Sequence, residues 1–205
     1  MPSVTSDNLH GGKLLTDYLV SLGHRKIAFY SGVDPSERAT VSDRFAGYLF
    51  GLKKANISPD PRLIYTQIPM DKRVLPPLDM KDLMSVISNF LKAGATAIIC
   101  EHDKRAYYIM DACKRLGIRI PEDISICGFD NSTWAHMDSN IQLTTIEQNW
   151  GKLGSEVARL AIEGLSDPIA EHSPIIVPVN LVQGTTTCPP SINDRIKDII
   201  FDGGD

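Results

Sequence analysis

Polar side chains with ligand-binding chemistry follow two predicted strands of this chain. A short apolar run at 124–127 predicts a buried strand, and Asp130 lies just past its end. His102 and Asp103 follow a second apolar run, at 95–100. Ligands bind at the carboxyl ends of the strands in open parallel α/β sheets. We therefore expect these three side chains at one edge of a sheet, in a site for a polar molecule.

Three further residues could complete such a site. Arg44 opens a predicted helix, Gln148 follows a short strand predicted at 144–146, and Trp134 could stack on a ring. Carboxylates accept hydrogen bonds from hydroxyls, whereas Arg and Gln donate to ring and hydroxyl oxygens. A few such groups above an apolar floor suit a small-molecule pocket. The chemistry indicates a polyol or a sugar.

Each of these residues also has a structural interpretation. Asp103 suits the N-cap of the helix that follows it, and Asp130 could cap its own loop. Arg44 could be a surface helix residue, His102 a satisfied loop residue and Trp134 a packing residue. From the spacing alone, both interpretations stay open.

Motifs of common enzymes and metal sites are missing from the sequence. It contains no GxSxG, Walker, HExxH or post-strand GxGxxG motif, and its five histidines lack metal-ligand spacing. The four cysteines show no CxxC spacing, and three of them fall in predicted core elements, so free thiols are favoured. We therefore expect no cofactor, no metal and no catalytic residue.

Size and charge exclude further classes of protein. The 205 residues suit one large domain or two small ones, and 42% are hydrophobic. A net charge of −4 without a basic cluster argues against direct binding of nucleic acid. No apolar run approaches the roughly 20 residues of a membrane span, and the N-terminus does not resemble a secretory signal. We predict a cytoplasmic protein that does not bind membranes.

Helices and strands alternate from Ile27 onward, which predicts an α/β fold with a mostly parallel sheet and right-handed crossovers. Helices are predicted at about 14–22, 42–55, 81–93, 104–116 and 150–165. Strands are predicted at 27–31, 62–67, 95–100, 124–127, 144–146, 175–177 and 181–187, with a long irregular loop at 69–79.

Six segments, in this order and spacing, resemble the effector-binding part of lactose-repressor/galactose-repressor family transcription regulators. They are SDNLHGGKLLTDYLVSLGHRKIAFYSG (6–32), RFAGY (44–48), ATAIICEHDKRA (95–106), IPEDISICGFDN (120–131), LTTIEQ (143–148) and LGSEVARLAIEGL (153–165). The resemblance covers roughly residues 4 to 188. It implies two flavodoxin-like α/β subdomains of periplasmic-binding-protein-like type I, joined by three crossovers.

The resemblance also implies a function. Proteins of this family bind an effector, usually a sugar, between the subdomains, act as homodimers and read DNA through a separate N-terminal module. By motif, Arg44, Asp130 and Gln148 correspond to effector-binding residues and Asp7 to an acidic residue at the pocket edge. His102 stands where the family usually has Asn, which implies a different ligand specificity.

The chain begins late relative to that family, so we expect one complete subdomain and part of another. Residues 24–146 and 179–190 would form the complete C-terminal subdomain. Residues 1–23 and 147–178 would be the remnant of the N-terminal one, and 191–205 a tail that could be disordered. Apolar faces of the remnant, such as that of Leu15, Leu19 and Leu22, would have fewer partners, so we expect either a dimer that covers them or a rearranged packing of these helices.

Two other classes of protein remain as alternatives. One is an exported sugar-binding protein of a transport system, and the other is an enzyme on a flavodoxin-like sheet. The sequence does not identify the effector, the direction of regulation or the type of DNA-binding module.

Overall fold

A computed structural model describes residues 3–66, 79–136, 140–166 and 173–191. Its helices and strands alternate along most of the chain. They are β1 (Val4–Ser6), α1 (Asn8–Ser21), β2 (Ile27–Ser31), α2 (Ala39–Lys54), β3 (Ile64–Thr66), α3 (Met80–Lys92), β4 (Ala97–Cys100), α4 (Asp103–Arg115), β5 (Ser125–Cys127), β6 (Thr145–Gln148), α5 (Trp150–Ser166), β7 (Ile175–Val177) and β8 (Val179–Val182).

The strands form one sheet of four and two pairs. The four-stranded sheet is parallel throughout, in the order β3-β2-β4-β5. β1 pairs with β7 in parallel, and β6 pairs with β8 in antiparallel fashion. The predicted α/β fold with a parallel sheet is confirmed.

Helices cover both faces of the four-stranded sheet, and successive strand residues supply the two core clusters in turn. In β4, Ile98 and Cys100 pack with α3 and α4, whereas Ala97 and Ile99 pack with α1 and α2. All four are at most 2% exposed. A strand buried on both faces reads as a continuous apolar run, because neither side meets water.

Helices α1 and α2 pack with their backbones in direct contact, and glycines permit this approach. A Cβ atom at Gly12 would collide with the carbonyl oxygen of Arg44, and one at Gly47 with that of Leu9. The Thr16 hydroxyl bonds back to the Gly12 carbonyl at 2.9 Å. The pair therefore holds the first turn of α1 against the part of α2 that carries Arg44.

The packing of α1 differs from the expectation for this helix. Leu15 and Leu19 are fully buried in the cluster beneath the four-stranded sheet, so the expectation that they have few partners is wrong. Leu9 of α1 and Phe50 of α2 are 40% and 52% exposed, but most of the large exposed apolar side chains occur on α5 and β7. They are Trp150, Val157, Ile162, Leu165 and Ile176, which are between 54% and 85% exposed.

Several element boundaries differ from the predicted ones. The last strand spans Val179–Val182 instead of 181–187, because it pairs antiparallel with β6. The predicted irregular loop at 69–79 falls almost wholly on 67–78, outside the described residues, as does the tail from 192. The four cysteines are free. No helix among the described residues is long and apolar enough to cross a membrane.

Candidate functional site

Arg44 forms the centre of a polar network at the carboxyl ends of β4 and β5. Its Nε donates to Oδ1 of Asn8 at 2.9 Å, and one terminal nitrogen donates to the Glu101 carbonyl at 2.5 Å. The other terminal nitrogen lies 3.2 Å from Oδ1 of Asp130. The guanidinium carbon lies 3.7 Å above the centre of the Phe129 ring, a cation–π contact. Each of the three guanidinium nitrogens of Arg44 thus has a protein partner, so its position is fixed.

Two more residues, Gln148 and Ser6, close this network into a ring. Gln148 donates from Nε2 to Oδ1 of Asp130 at 2.6 Å and accepts from the Ser6 hydroxyl at 2.6 Å. Asn8 completes the ring by donating to the Ser6 carbonyl at 2.9 Å. The ring, made by Ser6, Asn8, Arg44, Asp130 and Gln148, ties β1 and the start of α1 to α2, β5 and β6.

Local backbone geometry places Asp130 in this ring. Its amide donates to the Ile146 carbonyl at 2.8 Å, so the chain leaving β5 follows β6. Its φ of 118° is rare for a non-glycine residue, and such strain persists only where the surroundings hold it in place. Strained residues of this kind cluster at functional sites.

Burial acts on both charged members of the ring. It lowers the pKa of Arg44, against the attraction of Asp130 and Glu101. It raises the pKa of Asp130, against the attraction of Arg44 and the hydrogen bond from Gln148. A charge in such a place needs a partner, and each supplies one for the other. Oδ1 of Asp130 takes both hydrogen bonds, and no described residue donates to Oδ2.

A second polar group lies beside the ring and is built around Glu101, which is 2% exposed. One of its carboxylate oxygens accepts from the Ser31 hydroxyl, and the other accepts from the Gly32 amide at 3.1 Å. Nε of Arg105 and Nε2 of His102 lie 3.4 and 3.5 Å from that second oxygen. Glu101 therefore holds two basic side chains at the end of β4.

Asp103 does not have its predicted structural role. The residue that caps α4 is His102, whose Nδ1 accepts from the Arg105 amide at 3.3 Å. Asp103 is fully buried and accepts from the Thr145 hydroxyl at 2.6 Å and the Ser132 amide at 2.7 Å. Burial nevertheless raises its pKa to about 6. Its carboxylate joins the loop after β5 to β6.

Two other predicted site residues lie outside the ring. Asp7 caps α1 by accepting from the His10 amide at 2.9 Å. Trp134 packs against Tyr107 and Tyr108, with ring centres 5.6 and 6.0 Å away. It lines a cavity of about 460 Å³ beside α4, which also includes Met110. Trp134 is thus placed for packing in this structure.

Cavity size does not locate the candidate site. One cavity of about 480 Å³ lies between β3 and α3, and the second is the one lined by Trp134. Neither includes a member of the ring. We place the site at the strand ends because charge, strain and hydrogen-bonding groups converge there. Among the residues that the structure describes, no cluster of three His, Cys, Asp or Glu side chains could hold a metal ion.

Five polar residues at this edge were not predicted as site residues: Ser6, Asn8, Ser31, Glu101 and Arg105. Two signals were available for the last pair. Glu101 directly follows a buried strand, and Arg105 stands four residues later, the spacing of a helical ion pair. Asn8 and Ser6 gave no comparable signal, because their partners are distant in sequence.

The family model and the most similar relatives point to the same family of proteins. Residues 16–187 match the periplasmic binding protein-like domain. An arabinose metabolism transcriptional repressor of Geobacillus stearothermophilus is 29% identical over 166 residues, which are 79% of this chain and 43% of the relative. The "HTH-type transcriptional repressor PurR" of Vibrio vulnificus is 32% identical over 165 residues, which are 80% of this chain and 46% of the relative. The chain thus spans less than half of these relatives.

Solved structures with a similar fold are also of transcriptional regulators. A LacI family transcriptional regulator from Enterococcus faecium with bound ribose superimposes with a TM-score of 0.76 at 26% identity, covering 92% of this chain and 65% of that one. A periplasmic binding protein/LacI transcriptional regulator from Alkaliphilus metalliredigens, complexed with D-xylulofuranose, has a TM-score of 0.73 at 26% identity, covering 91% and 66%.

Proposed function

The chain belongs to the periplasmic binding protein-like family, and from that membership we propose that it binds the effector of a bacterial transcription regulator. The effector is a sugar or a sugar-like molecule. It binds at the strand-end edge, by which we mean the carboxyl ends of β4 and β5 with the ring and Glu101. DNA is bound by a module outside this chain, and the protein is a cytoplasmic homodimer. The regulator named in each of the relatives above supports this proposal over an exported binding protein or an enzyme.

The ring around Arg44 is the observation that carries the proposal. It joins one part of the chain, made of β1, the start of α1 and β6, to a second part, made of α2 and the loop after β5. A ligand that contacts the ring therefore contacts both parts. Asp130 offers Oδ2 to a ligand hydroxyl, and the buried Phe129 ring supports one face of the Arg44 guanidinium. Binding at this place therefore couples to the relative position of the two parts.

Coupling of this kind suits a regulator that binds DNA as a dimer. DNA half-sites have a fixed separation of about one helical turn or a multiple of it. A ligand that favours one arrangement of the two parts shifts the population of that arrangement, and thus the spacing of the DNA-binding modules. The proposal includes Arg44, Asp130, Gln148 and His102 as ligand contacts, whereas the observed roles of Asp7, Asp103 and Trp134 do not favour them.

Calorimetric titration and thermal shift with pentoses, hexoses and their phosphates test the proposal. At a free concentration 100 times its dissociation constant, a ligand should stabilise the protein by about 2.7 kcal/mol. Asp130→Asn should weaken binding at least about tenfold, because it replaces a charged acceptor. The control is Asp17→Asn, since Asp17 pairs with Lys13 and Lys54 away from the ring. Failure of the whole panel to bind, or unchanged binding by Asp130→Asn, would contradict the proposal.

A further inference from the structure

Near His102, the strand-end edge carries N–H groups that donate no hydrogen bond to a described residue. Nε of Arg105 is buried without a hydrogen bond, and the described residues accept none from its terminal nitrogens. His102 accepts through Nδ1, which leaves the proton of the neutral ring on Nε2. That nitrogen lies 3.5 Å from Glu101, too far for a good hydrogen bond.

The neighbouring carboxylates have little accepting capacity to offer these donors. Glu101 already accepts from the Ser31 hydroxyl and the Gly32 amide, one bond on each oxygen. Asp103 accepts from Thr145 on one oxygen and from the Ser132 amide and hydroxyl on the other. A ligand group that meets Arg105 and His102 must therefore itself be an acceptor.

Positively charged side chains also lie near His102. Burial lowers the pKa of His102 to about 4, and the positive charges of Arg105, Arg44, Lys104 and Arg38 lower it further. Two of these cations pair with carboxylates, Arg105 with Glu101 and Arg44 with Asp130. Lys104 and Arg38 form no ion pair with a described residue, so their charges favour an anionic ligand group over a cationic one.

The Arg105 guanidinium is held in position rather than loosely exposed. It lies against Gly32 at the end of β2, where a Cβ atom would collide with it. Its side chain is 14% exposed, and Glu101 sits on its other side at 3.4 Å. A fixed guanidinium with open terminal nitrogens can bind a carboxylate or a phosphate through two parallel hydrogen bonds.

We propose that the effector carries an anionic group, a carboxylate or a phosphate, which Arg105 and His102 bind. This inference rests on the proposed function, since it assigns the chemical class of the ligand at the same edge. Hydroxyls of the same molecule reach Oδ2 of Asp130, next to Arg44. The site thus has an accepting end at Asp130 and a donating end at Arg105, which fits a sugar acid or a sugar phosphate.

Titration of the full chain with matched ligand pairs tests the class. The pairs are D-gluconate and D-glucuronate against D-glucose, and D-ribose 5-phosphate against D-ribose, with inorganic phosphate as a minimal probe at constant ionic strength. We expect the anionic members to bind about tenfold to hundredfold more tightly than the neutral ones. Comparing the carboxylate and phosphate arms shows which anion the site prefers. Equal or tighter binding of every neutral member would overturn the inference and leave the proposed function intact.

Variants of Arg105 test whether this side chain causes the preference for anionic ligands. Arg105→Gln should remove the preference for the anionic member, so that the anionic and neutral members of each pair bind within about threefold of each other. Because that change leaves Glu101 without its cation, the double variant Arg105→Gln/Glu101→Gln keeps the local charge balanced. The matched control is Arg115→Gln, since Arg115 is also on α4 and pairs with Asp111 at the same spacing. Unchanged discrimination in both Arg105 variants would overturn the assignment.

His102 supplies a readout that a purely structural role would not change. A bound anion attracts the imidazolium, so gluconate or inorganic phosphate should raise the pKa of His102, as measured by NMR titration of its ring. A neutral sugar only adds burial and should not raise that pKa. No rise on addition of any anionic probe would contradict the proposed contact. If inorganic phosphate raises it while no sugar binds, the anion site stands and the proposed sugar function fails.

Discussion

Helices α1 and α5 were both expected to have apolar faces with few partners, and the structure treats them differently. Leu15 and Leu19 of α1 are fully buried, whereas Val157 and Leu165 of α5 are 54% and 85% exposed. The sequence pattern does not explain this difference in exposure, because both helices carry apolar residues at helical spacing. The difference lies in the surface that each helix meets.

Helix α1 meets a broad surface and α5 a narrow one. The four-stranded sheet and α2 together cover one face of α1, with Phe29 and Ile146 among the contacts. Helix α5 contacts β1 and β7, two strands of three residues each. Two short strands cannot bury a helix of 17 residues. Burial of an apolar face therefore depends on sheet width as much as on the pattern within the helix.

Truncating one apolar side chain on each helix should give the largest contrast. Leu19→Ala leaves a cavity in a packed core and should lower the free energy of unfolding by about 2–5 kcal/mol. Val157→Ala removes a largely exposed side chain and should change it by less than about 0.5 kcal/mol. Urea unfolding followed by circular dichroism measures both. An equal cost for the two changes would show that α5 is covered in solution.

Glycine substitutions test the same contrast in the helix backbones. Gly47→Ala puts a methyl group against the Leu9 carbonyl, where it must push α1 and α2 apart, at a cost of about 1–3 kcal/mol. Gly154→Ala on α5 meets no atom within 4 Å and should stabilise that helix by up to about 1 kcal/mol. Thermal midpoints of the two variants should therefore move in opposite directions. A destabilised Gly154→Ala variant would reveal a close neighbour of α5.

The strand-end edge should give a pH dependence that α5 lacks. The folded-state pKa of His102 is lowered from 6.5 to about 4, so its contribution is present above pH 6.5 and is lost as the pH falls towards 4. The pKa of Asp103 is raised from 3.8 to about 6, so its contribution is present below pH 3.8 and is lost as the pH rises to 6. The two contributions oppose each other in this window.

Replacing His102 separates its contribution to stability from that of Asp103. His102→Asn can still cap α4, but it no longer titrates, so stability should fall between pH 4 and 6 as Asp103 ionises. The difference in free energy of unfolding between the native protein and this variant should grow with pH from 4 to 6.5, by roughly 1–3 kcal/mol. Denaturant unfolding at half-unit steps of pH measures it. A difference independent of pH would show that His102 is not shielded from water.

The sequence predicted the sheet and part of the site, for identifiable reasons. Asp130 lies at the carboxyl edge of the parallel sheet, a place that follows from topology alone. Helix α2 and strand β6 bring Arg44 and Gln148 to it. The partners that fix them, Ser6 and Asn8, are 142 and 36 residues away in sequence, and no local pattern marks such pairs. Burial of the apolar face of α1 was missed because it depends on the sheet and the helix that α1 packs against, which the pattern within α1 does not show.

Local chemistry also misled the prediction of one cap. Asp is a better N-cap than His in general, so Asp103 was the favoured residue for α4. The structure instead uses the Asp103 carboxylate to bind Ser132 and Thr145, and the preceding His102 caps the helix. Tertiary hydrogen bonds outweigh the local preference, because a buried carboxylate needs several donors.

The smallest effect should come from the ion pairs on α5. Arg159 lies 2.8 Å from both Glu156 and Glu163, and its side chain is 49% exposed. Water and salt screen such pairs, so Arg159→Gln should leave the thermal midpoint unchanged within error, at both low salt and 1 M NaCl. Arg44→Gln is the contrasting variant, since Arg44 is only 10% exposed and its loss leaves Asp130 without a cation. A marked drop in the Arg159→Gln midpoint would mean that the exposed face of α5 is shielded from solvent, and the contrast with α1 would then not hold in solution.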